Sequence, residues 1–452
     1  MSLPKPLPEE TRCPVSYTQS SHACARFLIW FPWEPSEGFS RCSGRCSRDV
    51  RTDRGAVFPA LAALRIEDAH VRRAEAALAY GRFFTQDLVS AWRKTVRQEG
   101  QWQAHCHEGI RPVPCDLVGF YRPRLCGCTT KHYTSQAGKA LPALVYGLCV
   151  EVGSLGRMRL GVPRHLLRQE KGETEAALQR RLVRTVGEGL AENEAIALDA
   201  GFPLSDVRVQ KRVRFVVRMA VNTTARRNVL PEYAGKGTYP KWGKIVRPLP
   251  RKYGKNTLAA TPPDAVAYWK EKGRTLEAHL YENLIPADEK PGGTSYRLIV
   301  VFDPLYNQPW VLATNLTVTA EAVWRLYRDR WPVEQLPLAA KQVLGAERSF
   351  VFGQEARYRL PELALLAGNI LSYVAATVPA IPTGFWDRRS RPTCGRLRRY
   401  LETVNFSKLP LPKERQGQLR KKESTTVHLP KGILAHRRQK ASVSASNLPS
   451  EA

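Results

Sequence analysis

The sequence predicts an α/β fold, a mixed sheet with helices on its faces, and three observations carry that reading. Residues 113–162 hold three apolar runs of strand length, VPCDLVGFY, ALPALVYGLCVEV and MRLGVP. A helix-period segment, GETEAALQRRLVRTVGEGLAE, and a short buried strand, EAIALDAGF, follow in that order. Further on, YRLIVVFDPLYNQPWVLATN returns to strand pattern around a DPLYNQP turn, ahead of a long apolar helix near 355–378.

Taken along the chain, residues 1–57 are irregular, mixing Pro, Ser, Arg and four cysteines. Residues 58–105 place apolar residues at helical spacing among many arginines, which predicts two amphipathic helices. Such a unit suits docking on duplex DNA, or a plain helical cap on the core. Residues 106–221 read as the first part of a core. Its helix has Thr174 or a neighbour as cap and Gly187 or Gly189 near its end, and RVRFVVRMAVN supplies a last strand. Residues 222–290 break the α/β rhythm with prolines, lysines and aromatics and are expected to be a β-rich insertion. Residues 291–380 resume the core, where Thr319 can cap a helix through AEAVWRLYRDR with Glu321 in its first turn. A basic helical piece is expected within 381–410, and 411–452 reads as a disordered basic tail.

Composition speaks to partners. Seventy Lys+Arg against 41 Asp+Glu give a net charge of +29 and a pI near 10.0. A field of that sign attracts polyanions, with nucleic acid ahead of an acidic membrane surface. The N-terminus, MSLPKPLPEETRC, lacks the charged-then-apolar order of a secretory signal. The apolar run near 364–381 contains Asn369, Ser372 and Tyr373 and reads as a buried core helix rather than a membrane span. Ten cysteines are too sparse for a disulfide scaffold, so a cytoplasmic chain with reduced thiols is expected.

Three acids stand out. Asp116 interrupts an apolar strand, and Asp199 ends one just before Gly201. Buried carboxylates are costly without a cation. Glu334 lies in Tyr327-Arg328-Asp329-Arg330-Trp331-Pro332-Val333-Glu334, which runs on to Lys341 in the pattern Y-x2-R-x3-E-x6-K. On one continuous helix Tyr327, Arg330, Glu334 and Lys341 would fall within about 60° of one another. Pro332 and Pro337 interrupt that helix, so one helix is expected to end near Trp331 and another to start at Pro332. Converging carboxylates suit phosphodiester chemistry, in which two hard divalent ions about 3.5–4 Å apart serve the attacking and leaving oxygens.

Two Asp followed by Glu inside that signature resembles the DDE transposases of bacterial insertion sequences. YGLCVEVGSLGRMRLGVPRHLLR, LDAGF, WGKIVRPLPRKY and LGAERSFVFG extend the likeness over roughly residues 100–380. The resemblance implies an RNase H-like core, Mg2+ (with Mn2+ as a substitute), and DNA cleavage and strand transfer at the ends of an element. It implies that Asp116, Asp199 and Glu334 bind the metals and that Tyr327, Arg330 and Lys341 contact backbone phosphates. Partners would be double-stranded DNA and a second copy in a synaptic homodimer, without a membrane and in a cytoplasmic, nucleoid-associated setting. The chain departs from the family in lacking a hydroxyl residue near the first acid and in placing Pro337 where a helix former is expected. A catalytically inactive, transposase-derived DNA-binding protein therefore stays as the alternative.

Within the insertion, Trp242, Lys244, Arg247, Arg251 and Lys252 interleave cations with an aromatic, as single-stranded DNA contacts require. Trp242 is the candidate platform for a flipped base, a step the resemblance implies, and Trp269 is the second choice. Cys42 and Cys46, and His105-Cys106-His107 with Cys126 and Cys128, invite a zinc reading, although their spacings fit finger patterns poorly.

Overall fold

A computed structural model describes residue 72 and residues 76–401, apart from 123–127, 129, 211, 349–352, 385 and 388. The expectations for 1–57, for the start of the helical region, for Cys42, Cys46 and Cys126, and for the basic tail lie outside the described residues.

Helix α1 (Thr85–Glu99) buries Leu88, Val89, Trp92 and Val96, a stripe at helical spacing, and stops at Gly100 in the left-handed region, φ 69°. Each of those side chains contributes about 1.5–3 kcal/mol on burial. Strands β1 (Trp102–Ala104), β2 (Arg111–Tyr121), β3 (Lys131–Thr134), β4 (Lys139–Leu155) and β5 (Met158–Arg168) follow. Helix α2 (Glu175–Glu188) is capped by Thr174, whose Oγ1 accepts from Ala177 N at 3.2 Å. Then come β6 (Glu194–Leu198), α3 (Leu204–Arg208) and β7 (Phe215–Met219).

The segment 222–290 is strand-rich: β8 (Ala225–Arg227), β9 (Ile245–Val246), β10 (Arg251–Tyr253), β11 (Asn256–Leu258), β12 (Ala265–Glu271) and β13 (Arg274–Pro286). Strands β14 (Tyr296–Phe302) and β15 (Trp310–Thr314) complete the sheet. Helix α4 (Ala320–Arg328) is capped by Thr319, and α5 (Pro332–Leu338) opens on a proline whose missing N–H would have no helical partner there. A π-turn, Ala339–Val343, continues α5 and closes with Leu344 N donating to Ala339 O at 3.0 Å. Helices α6 (Ala356–Thr377) and α7 (Cys394–Leu401) end the described chain.

Among the described residues thirteen strands form one sheet, and β10 and β11 form a second, two-stranded one. At its centre the order is β5-β4-β2-β6-β7. Strand β4 is antiparallel to β5 and β2, whereas β2, β6 and β7 run parallel. From β7 the sheet continues antiparallel through β15, β14, β13, β8 and β9, with β12 beside β13.

Both faces of the centre are covered. Along β4, Leu144, Tyr146, Leu148, Val150 and Val152 join the core under α1, α5 and α6, while Cys149 points to the core under α2. Helix α4 covers β6, β7, β14 and β15 through Val323, Trp324 and Tyr327. Helix α6 approaches the π-turn at Gly368, where an added Cβ would lie 3.0 Å from the Ala339 Cβ. Trp92 on α1 donates to Asn369 Oδ1 on α6 (2.8 Å), and Asn369 donates on to Gly161 O of β5 (2.6 Å). Helix α6 has the length and composition to cross a membrane, with a mean hydropathy of 1.3, but 61% of that window is buried inside the protein, as a core helix would be.

Candidate active site

Asp116 and Asp199 come from neighbouring parallel strands. The β2–β6 register ends at Pro114 beside Ala197, and each aspartate lies two residues further on, so the two carboxylates leave the sheet on one face at one level. The joint between α4 and α5 crosses over this point. Helix α4 ends at Arg328, Arg330 N donates to Tyr327 O (2.9 Å), and Glu334 N donates to Trp331 O (3.0 Å) in the first turn of α5.

Arg330 is the hub. Its Nη1 lies 3.5 Å from Asp116 Oδ2, and its Nη2 lies 3.6 Å from Asp199 Oδ2 and donates to Glu334 Oε1 at 2.5 Å. One guanidinium thus touches three acids that are far apart in sequence. The Tyr327 hydroxyl donates to Asp199 Oδ1 (2.9 Å), and Arg218 Nη1 on β7 stands 4.0 Å from the same oxygen. Beneath them the Tyr327 ring packs edge-on to Trp310, with centroids 5.4 Å apart.

The two aspartates differ in their hold on a proton. Burial pushes Asp116 up to about 6, against the pull of Arg330 and of its bond from Leu117 N. Burial also acts to raise Asp199, but Arg330, the Ala200 amide, the Tyr327 hydroxyl and Arg218 together hold it below the usual carboxylate range. Tyr327 is pushed up to about 12 by burial and by Asp199, so it stays a donor. Arg330 is itself held above its ordinary value: burial opposes its charge, and the surrounding acids outweigh burial.

Lys341 is not brought to these acids. On the π-turn it pairs with Glu347 Oε1 (3.0 Å), with its Nζ 5.4 Å from the Phe120 ring centre and 5.2 Å from that of Tyr121, further along β2. Trp242 is 40% exposed, with the Arg226 guanidinium 5.0 Å from its ring centre. Lys244 and Lys252 are exposed, whereas Arg247 and Arg251 are half-buried. Among the described residues none of these five forms a hydrogen bond or ion pair with the three carboxylates. Trp269, the second choice as a base platform, is a core residue. It is 8% exposed and packs edge-on to Trp324 at 5.6 Å, which leaves no open face.

Two histidines do find a third ligand-type group, but it is not a cysteine. His105 Nδ1 and His107 Nε2 each lie 2.8 Å from Asp329 Oδ2, beside the hub arginine. Cys128 instead points its thiol toward the Thr130 and Ala143 carbonyls, and Cys106 is exposed. Sequence reasoning also missed Arg218, whose signal was a cation inside the apolar run FVVRM, and Trp331, which is exposed between Arg330 and Glu334.

No family model matches the chain, and no curated protein matches it.

Proposed function

We propose that the chain is a DDE-type transposase with an RNase H-like core that cuts DNA strands at the ends of an element and joins them to new DNA. The observation that carries this reading is the meeting of Asp116, Asp199 and Glu334 around Arg330. The central strand order, three antiparallel strands and then two parallel to the first, supports the fold assignment.

The donor set fits a hard divalent cation. It offers three carboxylates, one of them raised by burial and so relieved by a nearby positive charge. Asp116, Asp199 and Glu334 would hold Mg2+, or Mn2+ in its place. Such ions supply Lewis acidity and a nucleophilic oxygen at neutral pH. The chain's own residues do the rest. Tyr327 fixes the orientation of the Asp199 carboxylate through its hydroxyl. Arg330, whose contacts to Asp116 and Asp199 are long at 3.5 and 3.6 Å, would turn its guanidinium from the acids onto a phosphate. Nicking adds water across a phosphodiester and releases a 3′-hydroxyl. Joining moves a phosphoryl linkage to that hydroxyl from a second strand and releases another. The cations of the insertion (Lys244, Arg247, Arg251 and Lys252) and the ring of Trp242 would line the path of the DNA, and Lys341 would take a phosphate further out. Two copies would hold two ends, in a cytoplasmic, nucleoid-associated setting.

The Arg330 bridge also favours a second reading, a transposase-derived DNA-binding protein without catalysis, because the arginine already neutralises the acids. Supercoiled plasmid with Mg2+ or Mn2+ separates the two. Metal-dependent nicking by the parent and none by Glu334→Gln supports the enzyme. Salt-sensitive binding without nicking selects the inactive protein. Equal nicking by Glu334→Gln refutes the assignment of the acids.

A further inference from the structure

The pair His105 and His107 reaches across the fold to Asp329, and the proposed chemistry uses none of the three. Their donor atoms, two imidazole nitrogens and one carboxylate oxygen, all lie within 4.8 Å of one another. We infer that they form a second metal site, for a borderline-soft divalent cation of the zinc class, distinct from the hard-oxygen acids around Arg330.

Several independent features point to a ligand. The donor set is mixed nitrogen and oxygen, which suits zinc and not magnesium. His107 is fixed by a two-residue reversal. Its N–H and C=O exchange bonds with Ile110 at 2.8 and 3.0 Å, and the turn residues Glu108 and Gly109 take φ values of 49° and 80°. A non-glycine residue in that region is a backbone cost, accepted here where it sets the histidine.

The outer contacts are those a ligand set needs. The far nitrogen of His105, Nε2, lies 2.7 Å from Ser154 Oγ, which fixes the ring, and Arg159 Nε holds the other oxygen of Asp329 at 3.4 Å. The three groups open onto a cavity of about 290 Å³, which leaves room for a fourth ligand. The arginines of its wall are spoken for, since Arg325 and Arg328 pair with Glu271 at 3.5 and 3.2 Å. Tetrahedral ligands with bonds of about 2.0–2.1 Å stand about 3.3 Å apart. Binding therefore lengthens the two 2.8 Å His–Asp contacts by about half an ångström and brings the two imidazole nitrogens, which lie within 4.8 Å of each other, to the same spacing.

The position of the site gives it a consequence. His105 and His107 precede the strand that carries Asp116, and Asp329 directly precedes Arg330. A metal here would clasp the first acid's strand to the joint between α4 and α5 and hold the hub in place.

Cobalt(II) is the probe. The full chain is stripped with EDTA and titrated with Co2+. The expected result is one equivalent bound with the visible bands of a four-coordinate site, displaced by Zn2+, lost in His107→Ala and kept in Glu334→Gln. No such bands in the parent, or the same bands in a folded His107→Ala, overturns the inference. Should His107→Ala fail to fold, Ser154→Ala decides the matter. About tenfold weaker cobalt binding is expected of an outer contact, and unchanged affinity would count against the site. This inference stands apart from the proposed function, because cobalt is read without DNA. A chain that binds cobalt but never nicks loses only the enzymatic reading.

Discussion

Asp116 and Asp199 stand side by side at the ends of one parallel pairing, two residues beyond Pro114 and Ala197 on their strands. That neighbourhood is set by backbone register and not by side-chain reach. A one-residue slip of β6 against β2 would move one carboxylate to the opposite face and dismantle the site. The apolar residues on the face of the two strands opposite the carboxylates, Val113, Cys115, Ile196 and Leu198, share one core and hold the register.

Arg330 is the only cation bonded to Glu334 among the described residues, and it lies within 3.6 Å of both aspartates. Arg330→Ala leaves three carboxylates in mutual repulsion. The expected cost is about 1–3 kcal/mol, below the range for fully buried pairs because Asp199 and Glu334 are 39% and 41% exposed. Adding Mg2+ should raise the melting temperature of Arg330→Ala by more than that of the parent, since the ion replaces the missing charge. An equal response in both proteins would show that metal does not enter among these acids.

His165 should take stability away in mild acid, while Asp116, raised to about 6, adds stability there. Burial first, then Arg164 and Arg93, push this imidazole down to about 4, and Glu151 pulls weakly the other way. The unfolded chain takes up a proton near 6.5, so between pH 6.5 and 4 it binds more protons than the folded protein. The stability is present above about pH 6.5 and is lost as pH drops toward 4. Allowing for partial exposure, the His165 share lost between pH 7 and pH 5 is about 1 kcal/mol, read by urea unfolding as the difference between the parent and His165→Asn. The variant should gain on the parent by that amount as pH falls, and parallel profiles would show that His165 makes no such contribution.

Glu362 on α6 is 4% exposed and is held by Arg168 Nε at 2.7 Å and Thr85 Oγ1 at 2.6 Å, which ties β5 and the start of α1 to the helix. Arg168→Leu strands a buried charge and should cost about 3–5 kcal/mol. The double variant Arg168→Leu, Glu362→Leu should recover most of that loss. Chemical denaturation of the two proteins reads the difference, and additive losses would contradict it.

Binding to duplex DNA should be strongly salt-dependent, as the charge of +29 implies. For about 6–10 phosphate contacts, affinity should drop about 10³–10⁵-fold between 50 and 200 mM salt. Lys244→Ala with Lys252→Ala should lower the slope of log affinity against log salt by about 2 if both touch phosphates. An unchanged slope would remove the insertion from the DNA path.

Much of the fold was legible because its signals are local. Thr174 and Thr319 cap the helices that were read from them, Pro332 starts one, and the strand runs around Asp116, Asp199 and residues 296–314 are strands. Helix α4 ends at Arg328, three residues before the expected Trp331, because Pro332 has no N–H for the Arg328 carbonyl, which accepts from Arg159 Nη1 instead. Pro337 was read as a helix breaker, yet it sits inside α5, and the chain widens just after it into the π-turn that displaces Lys341 from the acids. Long-range partners were not legible. No spacing rule links His105 to Asp329 or Arg218 to Asp199, since both pairings depend on how the sheet closes. Trp269 and Trp242 look alike in sequence, and only the pairing of β12 with β13 sends Trp269 inward to Trp324.

Metal ligation by Asp199 is tested most directly by exchanging its oxygen for sulfur. Thiolates are poor ligands for Mg2+ and accept softer ions. The parent is expected to nick supercoiled plasmid in Mg2+ and in Mn2+, and Asp199→Cys to nick only in Mn2+, with the Mg2+ rate down about a thousand-fold or more. Nicking by Asp199→Cys in Mg2+ at the parent's rate would contradict the metal-binding role of the three acids.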